Sequence, residues 1–164
     1  MHWPGIDLSN VVTDILDRPG PVRLVAVDGR GGAGKTSFAA ALAEAAGGAP
    51  VVHTDDFADR AGGAEWWPDL LREVVEPLVD GRPADVAPEP IVIIEGVSAG
   101  RREWADHLAF VIWLAAPATI RQARTLERDG PAAAASWATY EAEEDRFFAD
   151  DPVRPRADLI IDSA

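Results

Sequence analysis

Apolar residues fall along the chain in two alternating patterns. One is the short continuous run: VRLVAV (22–27), PVVHT (50–54), IVIIEGV (91–97), FVIWLA (110–115) and ADLIID (157–162). The other is helical spacing: IDLSNVVTDILD (6–17), Lys35 to Ala46, Trp67 to Val79, Pro117 to Arg128 and Ala132 to Phe148. Continuous apolar strands belong to a parallel sheet covered on both faces, because neither face meets water. Pro19-Gly20-Pro21 ends the first helix, Gly47-Gly48 closes the second, and Pro117 starts a later one. The β-α alternation predicts an α/β fold, a three-layer α/β/α sandwich in one domain over 1–164. Ligands bind such sheets at the carboxyl ends of the strands. The chemistry is therefore expected just after residues 27, 54, 97 and 115.

Composition narrows the reading. With 164 residues, 48% of them hydrophobic, the chain can bury a real core. No apolar run approaches the length of a membrane span. The segment MHWPGIDLSN lacks a basic stretch followed by an apolar core, so a cytoplasmic location is expected. There is no cysteine, which excludes disulfides and thiolate chemistry. The net charge of −13 opposes binding to nucleic acid, though a pocket can still be locally positive. Basic residues number 15, of which one is lysine, Lys35.

That lysine sits in GRGGAGKT, residues Gly29, Arg30, Gly31, Gly32, Ala33, Gly34, Lys35 and Thr36, followed by Ser37. The stretch matches G-x-x-x-x-G-K-[ST] between a predicted strand and a predicted helix. Its glycines let backbone N–H groups curl round a phosphate at a helix N-terminus. Lys35 is expected on the β- and γ-phosphates and the Thr36 hydroxyl on Mg²⁺. The other reading is a plain Gly-rich turn. A guanine-reading N/T-K-x-D needs a second lysine, which argues against a Ras-like switch.

Further acids and arginines fall at the predicted strand ends. Asp55 and Asp56 follow the second strand, where a carboxylate accepts an acceptor proton or holds Mg²⁺; as an alternative they cap a helix. Glu95 ends the third strand with the same two readings. Arg121, Arg124 and Arg128 share one helix face and are expected on phosphate, or on a solvated face paired with Glu127 and Asp129. Trp66 and Trp67 either stack on a ring or anchor a helix. Arg101 and Arg102 either bind a charged acceptor or are surface groups. Asp28 is given no role, and His2, His53 and His107 show no metal-ligand spacing. The acidic run 141–151 is read as a solvated helix face with Phe147 and Phe148 turned inward.

The set DGRGGAGKT, HTDDF, IIEGV, R-x-x-R-x-x-x-R-D and RADLIID resembles the uridine kinase and nicotinamide riboside kinase group of P-loop kinases. It is most similar to small actinobacterial proteins called uridine kinase-like, over about residues 22 to 162. The resemblance implies a five-stranded parallel sheet of order 2-3-1-4-5. It implies Asp55 as base on the acceptor hydroxyl, Phe57 as its aromatic neighbour, and Glu95 near Mg²⁺. Arg121, Arg124 and Arg128 match lid arginines that close over the phosphates. The family carries a longer nucleoside-binding region where this chain has only residues 58–89. The expectation is thus an ATP- and Mg²⁺-dependent kinase acting on a small-molecule hydroxyl, a nucleoside first, as monomer or homodimer. The alternatives are a nucleotide-binding module without turnover and a kinase for another metabolite.

Overall fold

A computed structural model describes residues 3–62 and 65–164; His2 lies outside them. The elements run α1 (Leu8–Leu16), β1 (Arg23–Gly29), α2 (Lys35–Ala45), β2 (Val51–His53), α3 (Thr54–Ala61), α4 (Trp67–Leu70), α5 (Glu76–Val79), β3 (Ile91–Glu95), β4 (Leu108–Ala115), α6 (Ala118–Asp129), α7 (Ala134–Asp150) and β5 (Leu159–Asp162). All strand pairs are parallel and the order is β2-β3-β1-β4-β5, as expected.

Each central strand feeds two cores because its side chains alternate between the sheet faces. Val25, Val27, Ile93, Ile112 and Leu114 pack with Phe38 and Leu42 of α2 and with Val11 and Ile15 of α1. Leu24, Ala26, Val92, Ile94, Val111 and Trp113 pack on the other face against α4, α5 and Trp104, with Phe147 and Phe148 of α7 partly buried there. The Val11 and Ile15 spacing puts both on one stripe of α1, whose N-terminus is capped by Asp7 accepting from the Ser9 N–H at 2.9 Å.

The register brings the carboxyl ends of four strands level. Val27 pairs with Glu95 and with Ile112, and His53 pairs with Glu95. The segments that follow β1, β2, β3 and β4 therefore share one edge.

Three expected elements differ. The second strand stops at His53, and Thr54 begins α3. The third stops at Glu95, because Gly96 turns with φ 142° against the Thr54 side chain. The helix over 67–79 contains a π turn, Leu71–Val75, between α4 and α5. Pro77 explains it: its missing N–H cannot reach the carbonyl four residues back, and the Glu76 N–H bonds Leu71 O instead.

Candidate functional site

The shared edge carries a cavity of about 1180 Å³. Its walls come from the glycine loop, the first turns of α2 and α3, the turn after β3, and one side of α6 and α7.

The loop takes its shape from positions where only glycine fits. Gly29 has φ 146°, and a Cβ there would lie 2.5 Å from Leu114 O. Gly32 has φ 77° and lies against the backbone of Arg121. Gly34, at φ 91°, begins α2 with no side-chain cap. The N–H groups of Lys35, Thr36 and Ser37 therefore lack intrahelical acceptors at the positive end of an 11-residue helix. Such an end binds anions. Lys35 is buried, with Nζ donating to Arg30 O at 2.9 Å. Burial pulls its pKa below the usual lysine range; Asp28, Glu144, Glu95 and Asp55 pull the other way.

Thr36 and Glu95 meet at one point. The Thr36 hydroxyl donates to Glu95 Oε1 at 3.2 Å, and His53 Nδ1 lies 2.5 Å from the same oxygen. The hydroxyl and carboxylate are hard oxygen donors of the kind Mg²⁺ takes alongside water and phosphate oxygens. Among the described residues no three His, Asp or Glu gather as a self-sufficient metal cage. The donor set thus fits a cation that arrives with phosphate. His53 was not singled out as a site residue. It is a lone histidine in sequence, and only the β2–β3 register brings it to Glu95.

Asp55 and Asp56 separate. Both are exposed in the first turn of α3, but Asp55 lines the cavity with Lys35 and Thr36, whereas Asp56 does not. Asp59, one turn on, lines it too.

The three arginines of α6 also diverge. Arg121 is buried and fully engaged: Nε donates to Ala116 O, Nη1 to Gly31 O, and Nη1 and Nη2 to Glu141 at 2.6 and 3.1 Å. Arg124 lines the cavity, donates Nη2 to Ser163 O at 2.5 Å, and keeps a buried Nη1 without a partner. Arg128 lines the cavity and pairs with Asp129 at 2.6 Å in the open. In the loop, Arg30 pairs with Asp145 at 2.6 Å, and neither it, Gly29 nor Ala33 lines the cavity.

The acidic run of α7 is corrected. Glu141 holds Arg121, and Glu144 Oε1 accepts the Gly31 N–H at 2.8 Å. Their spacing of three residues puts them on one face, directed at the loop and not at solvent. Phe147 and Phe148 turn inward as expected.

Trp66, Trp67 and Arg101 are anchors. The Arg101 guanidinium lies 4.9 to 5.7 Å from the rings of Trp66, Trp67, Trp104 and Phe147, and pairs with Glu103 at 2.6 Å. Arg102 is a surface group paired with Asp150.

Asp28 acquires a role the sequence did not assign. Its carboxylate is fully buried and accepts from Gly29 N at 2.6 Å, Ser98 N at 3.0 Å and Gly100 N at 2.9 Å. It clasps the glycine loop to the turn after β3, where Ser98 holds φ 68°. Burial raises its pKa from 3.8 to about 6, against its three N–H bonds and Lys35. The folded state therefore holds this proton more tightly than the unfolded chain. The resulting stability is full below pH 3.8 and is lost as pH rises through about 6, a change of about 3 kcal/mol. Asp28→Asn should remove that dependence. Urea unfolding of both proteins from pH 4 to 7 checks this: their stability difference should change across the window, and a constant difference refutes it.

No family model matches the chain, and no curated protein matches it. Solved structures do. A protein of Silicibacter sp. TM1040, provisionally assigned as a fructose transport system kinase, superposes with TM-score 0.67 at 20% identity, over 95% of this chain and 99% of that one. A possible uridine kinase from Bacillus stearothermophilus gives 0.62 at 20%, over 93% and 96%. Shikimate kinase from Bacteroides thetaiotaomicron gives 0.58 at 17%, over 86% of each chain. These proteins share the fold seen here, a five-stranded parallel sheet of order β2-β3-β1-β4-β5 flanked by helices. No helix among the described residues is long and apolar enough to cross a membrane.

Proposed function

We propose that the protein is a small-molecule kinase, moving the γ-phosphoryl group of ATP to an acceptor hydroxyl with Mg²⁺. The observation that carries this reading is the uncapped start of α2 with the buried Lys35 amine beside it, facing a cavity that Asp55, Thr36 and Glu95 also line. Structural neighbours described as uridine, shikimate and fructose transport kinases support the same reaction class.

In this reading the loop N–H groups and Lys35 hold the β- and γ-phosphates. Thr36 and Glu95 would hold the metal through oxygen. Mg²⁺ supplies neutralisation of the phosphate charge. The need for it is acute here, because Asp55, Asp59, Glu95, Glu127, Asp129, Glu141 and Glu144 line the cavity against only Lys35, Arg124 and Arg128. Asp55 accepts the acceptor's proton as the new O–P bond forms and ADP leaves. Arg124 and Arg128 face the cavity from α6, and Arg121 fixes the loop from behind through Gly31 O. A nucleoside is the first acceptor class, from the sequence resemblance.

One observation favours a second reading, a binding module without turnover: Arg121 is fully engaged by Glu141 and backbone carbonyls. ADP release from Mg-ATP, measured against nucleosides and small hydroxyl metabolites, separates the two. Acceptor-dependent release is the expected result. Tight ATP binding with no release for any acceptor would overturn the kinase reading in favour of the module.

A further inference from the structure

One stripe of α7 lies on the glycine loop. Trp137, Glu141, Glu144 and Phe148 fall at i, i+4, i+7 and i+11, a single helical face. Trp137 lies under the Arg121 guanidinium at 5.5 Å, and Phe148 under that of Arg30 at 5.6 Å. Between them, Glu144 Oε1 takes the Gly31 N–H. A Cβ on Gly31 would meet that oxygen at 2.9 Å, so the loop and the carboxylate are in close contact. The other oxygen, Oε2, is buried and has no hydrogen-bond partner.

A buried carboxylate with an unused oxygen is costly unless something compensates it. The compensation here is the phosphate-binding apparatus. Lys35 of α2 and Arg121 of α6 attract the Glu144 charge, and Arg30 Nη1 lies 3.9 Å from Oε2. Glu141, on the same face, opposes it. Burial still raises the Glu144 pKa. Glu144 thus presents an oxygen to a loop N–H within the field of Lys35, as a phosphate would.

We propose that Glu144 is an internal anion that plugs the glycine loop, so that a phosphate ligand binds by displacing it. The proposal rests on the nucleotide reading above and adds a control to that site. The Glu144 side chain can swing aside while Phe147 and Phe148 keep the helix seated. None of the 17 residues of α7 is fully buried. A ligand that must first displace a plug binds with an affinity reduced by the fraction of molecules already open.

The test compares wild type with Glu144→Gln, Glu144→Ala and Glu127→Gln. Glu127 lines the same cavity but makes no hydrogen bond to the loop among the described residues, so it controls for loss of charge alone. Dissociation constants are measured for Mg-ADP and for inorganic pyrophosphate, with thermal unfolding to verify that each variant folds. Glu144→Ala is expected to tighten both ligands at least fivefold, and Glu144→Gln by less, because its amide oxygen still accepts from Gly31. Glu127→Gln should shift them less than twofold. Equal shifts in the Glu127 and Glu144 variants, or no shift in the latter, overturn the plug while ADP binding keeps the nucleotide reading intact. Pyrophosphate tightened by Glu144→Ala with no ADP binding in any protein upholds the plug and overturns the nucleotide reading. Failure of both ligands with all four proteins overturns both.

Discussion

Lys35→Ala is expected to lower acceptor-dependent ADP release at least about 10²-fold. The residue is the chain's single lysine, so no neighbour of the same kind can take over. Its amine is fixed before any ligand arrives, held by Arg30 O at 2.9 Å in a buried setting. A preorganised donor of this kind, aimed at developing charge, is worth about 10² to 10³ in turnover. Lys35→Arg should not restore the rate, because a planar guanidinium is broader than an ammonium group and needs a different set of acceptors. Steady-state turnover of the three proteins at saturating Mg-ATP checks this. Turnover within threefold of wild type for Lys35→Ala would remove Lys35 from phosphoryl transfer. A structural side effect is also expected. Lys35 is one of the groups holding the Asp28 pKa down, so without it Asp28 should titrate still higher than about 6.

The outline of this site was legible in the sequence because its central part is local. GRGGAGKT carries its own conformational instructions, and the strands around it are continuous apolar runs that only a doubly covered sheet accommodates. Contacts made over long sequence distances were not legible. Asp28 meets Ser98 and Gly100 across 70 and 72 residues. His53 meets Glu95 across 42. Glu144 meets Gly31 across 113. The first two are created by strand order and register, and the third by the packing of α7 on the glycine loop, none of which a linear pattern contains. The arginine stripe of α6 shows the same limit in another form. Helical spacing puts Arg121, Arg124 and Arg128 on one face of α6, but spacing does not reveal that Glu141 on a different helix engages the first of them. The acidic run of α7 was misread for a related reason. In a chain of net charge −13, acids are the ordinary surface residue. The signal against that reading was its spacing, since Trp137, Glu141, Glu144 and Phe148 form a mixed aromatic and acidic face that bulk solvent does not require.

Asp55→Asn is expected to cut turnover by about 10² to 10⁴ while leaving Mg-ADP affinity nearly unchanged. An acid in the first turn of a helix has a bland explanation, since the helix dipole favours negative charge there. Asp56 has the same environment in that respect, being the next residue of the same turn. The two differ only in what they face, because Asp55 lines the cavity and Asp56 does not. The pair is thus its own control. If capping and dipole were the whole of the matter, Asp55→Asn and Asp56→Asn would lower stability by similar small amounts and leave turnover alone. If Asp55 accepts the acceptor's proton, its amide loses the reaction and the Asp56 amide keeps it. Asp59 tests the geometry further. It lines the cavity one turn deeper into α3, so Asp59→Asn should shift the KM for the acceptor more than it shifts kcat. Equal turnover in Asp55→Asn and Asp56→Asn would exclude Asp55 as the base. The acceptor hydroxyl would then have to lose its proton to another cavity carboxylate.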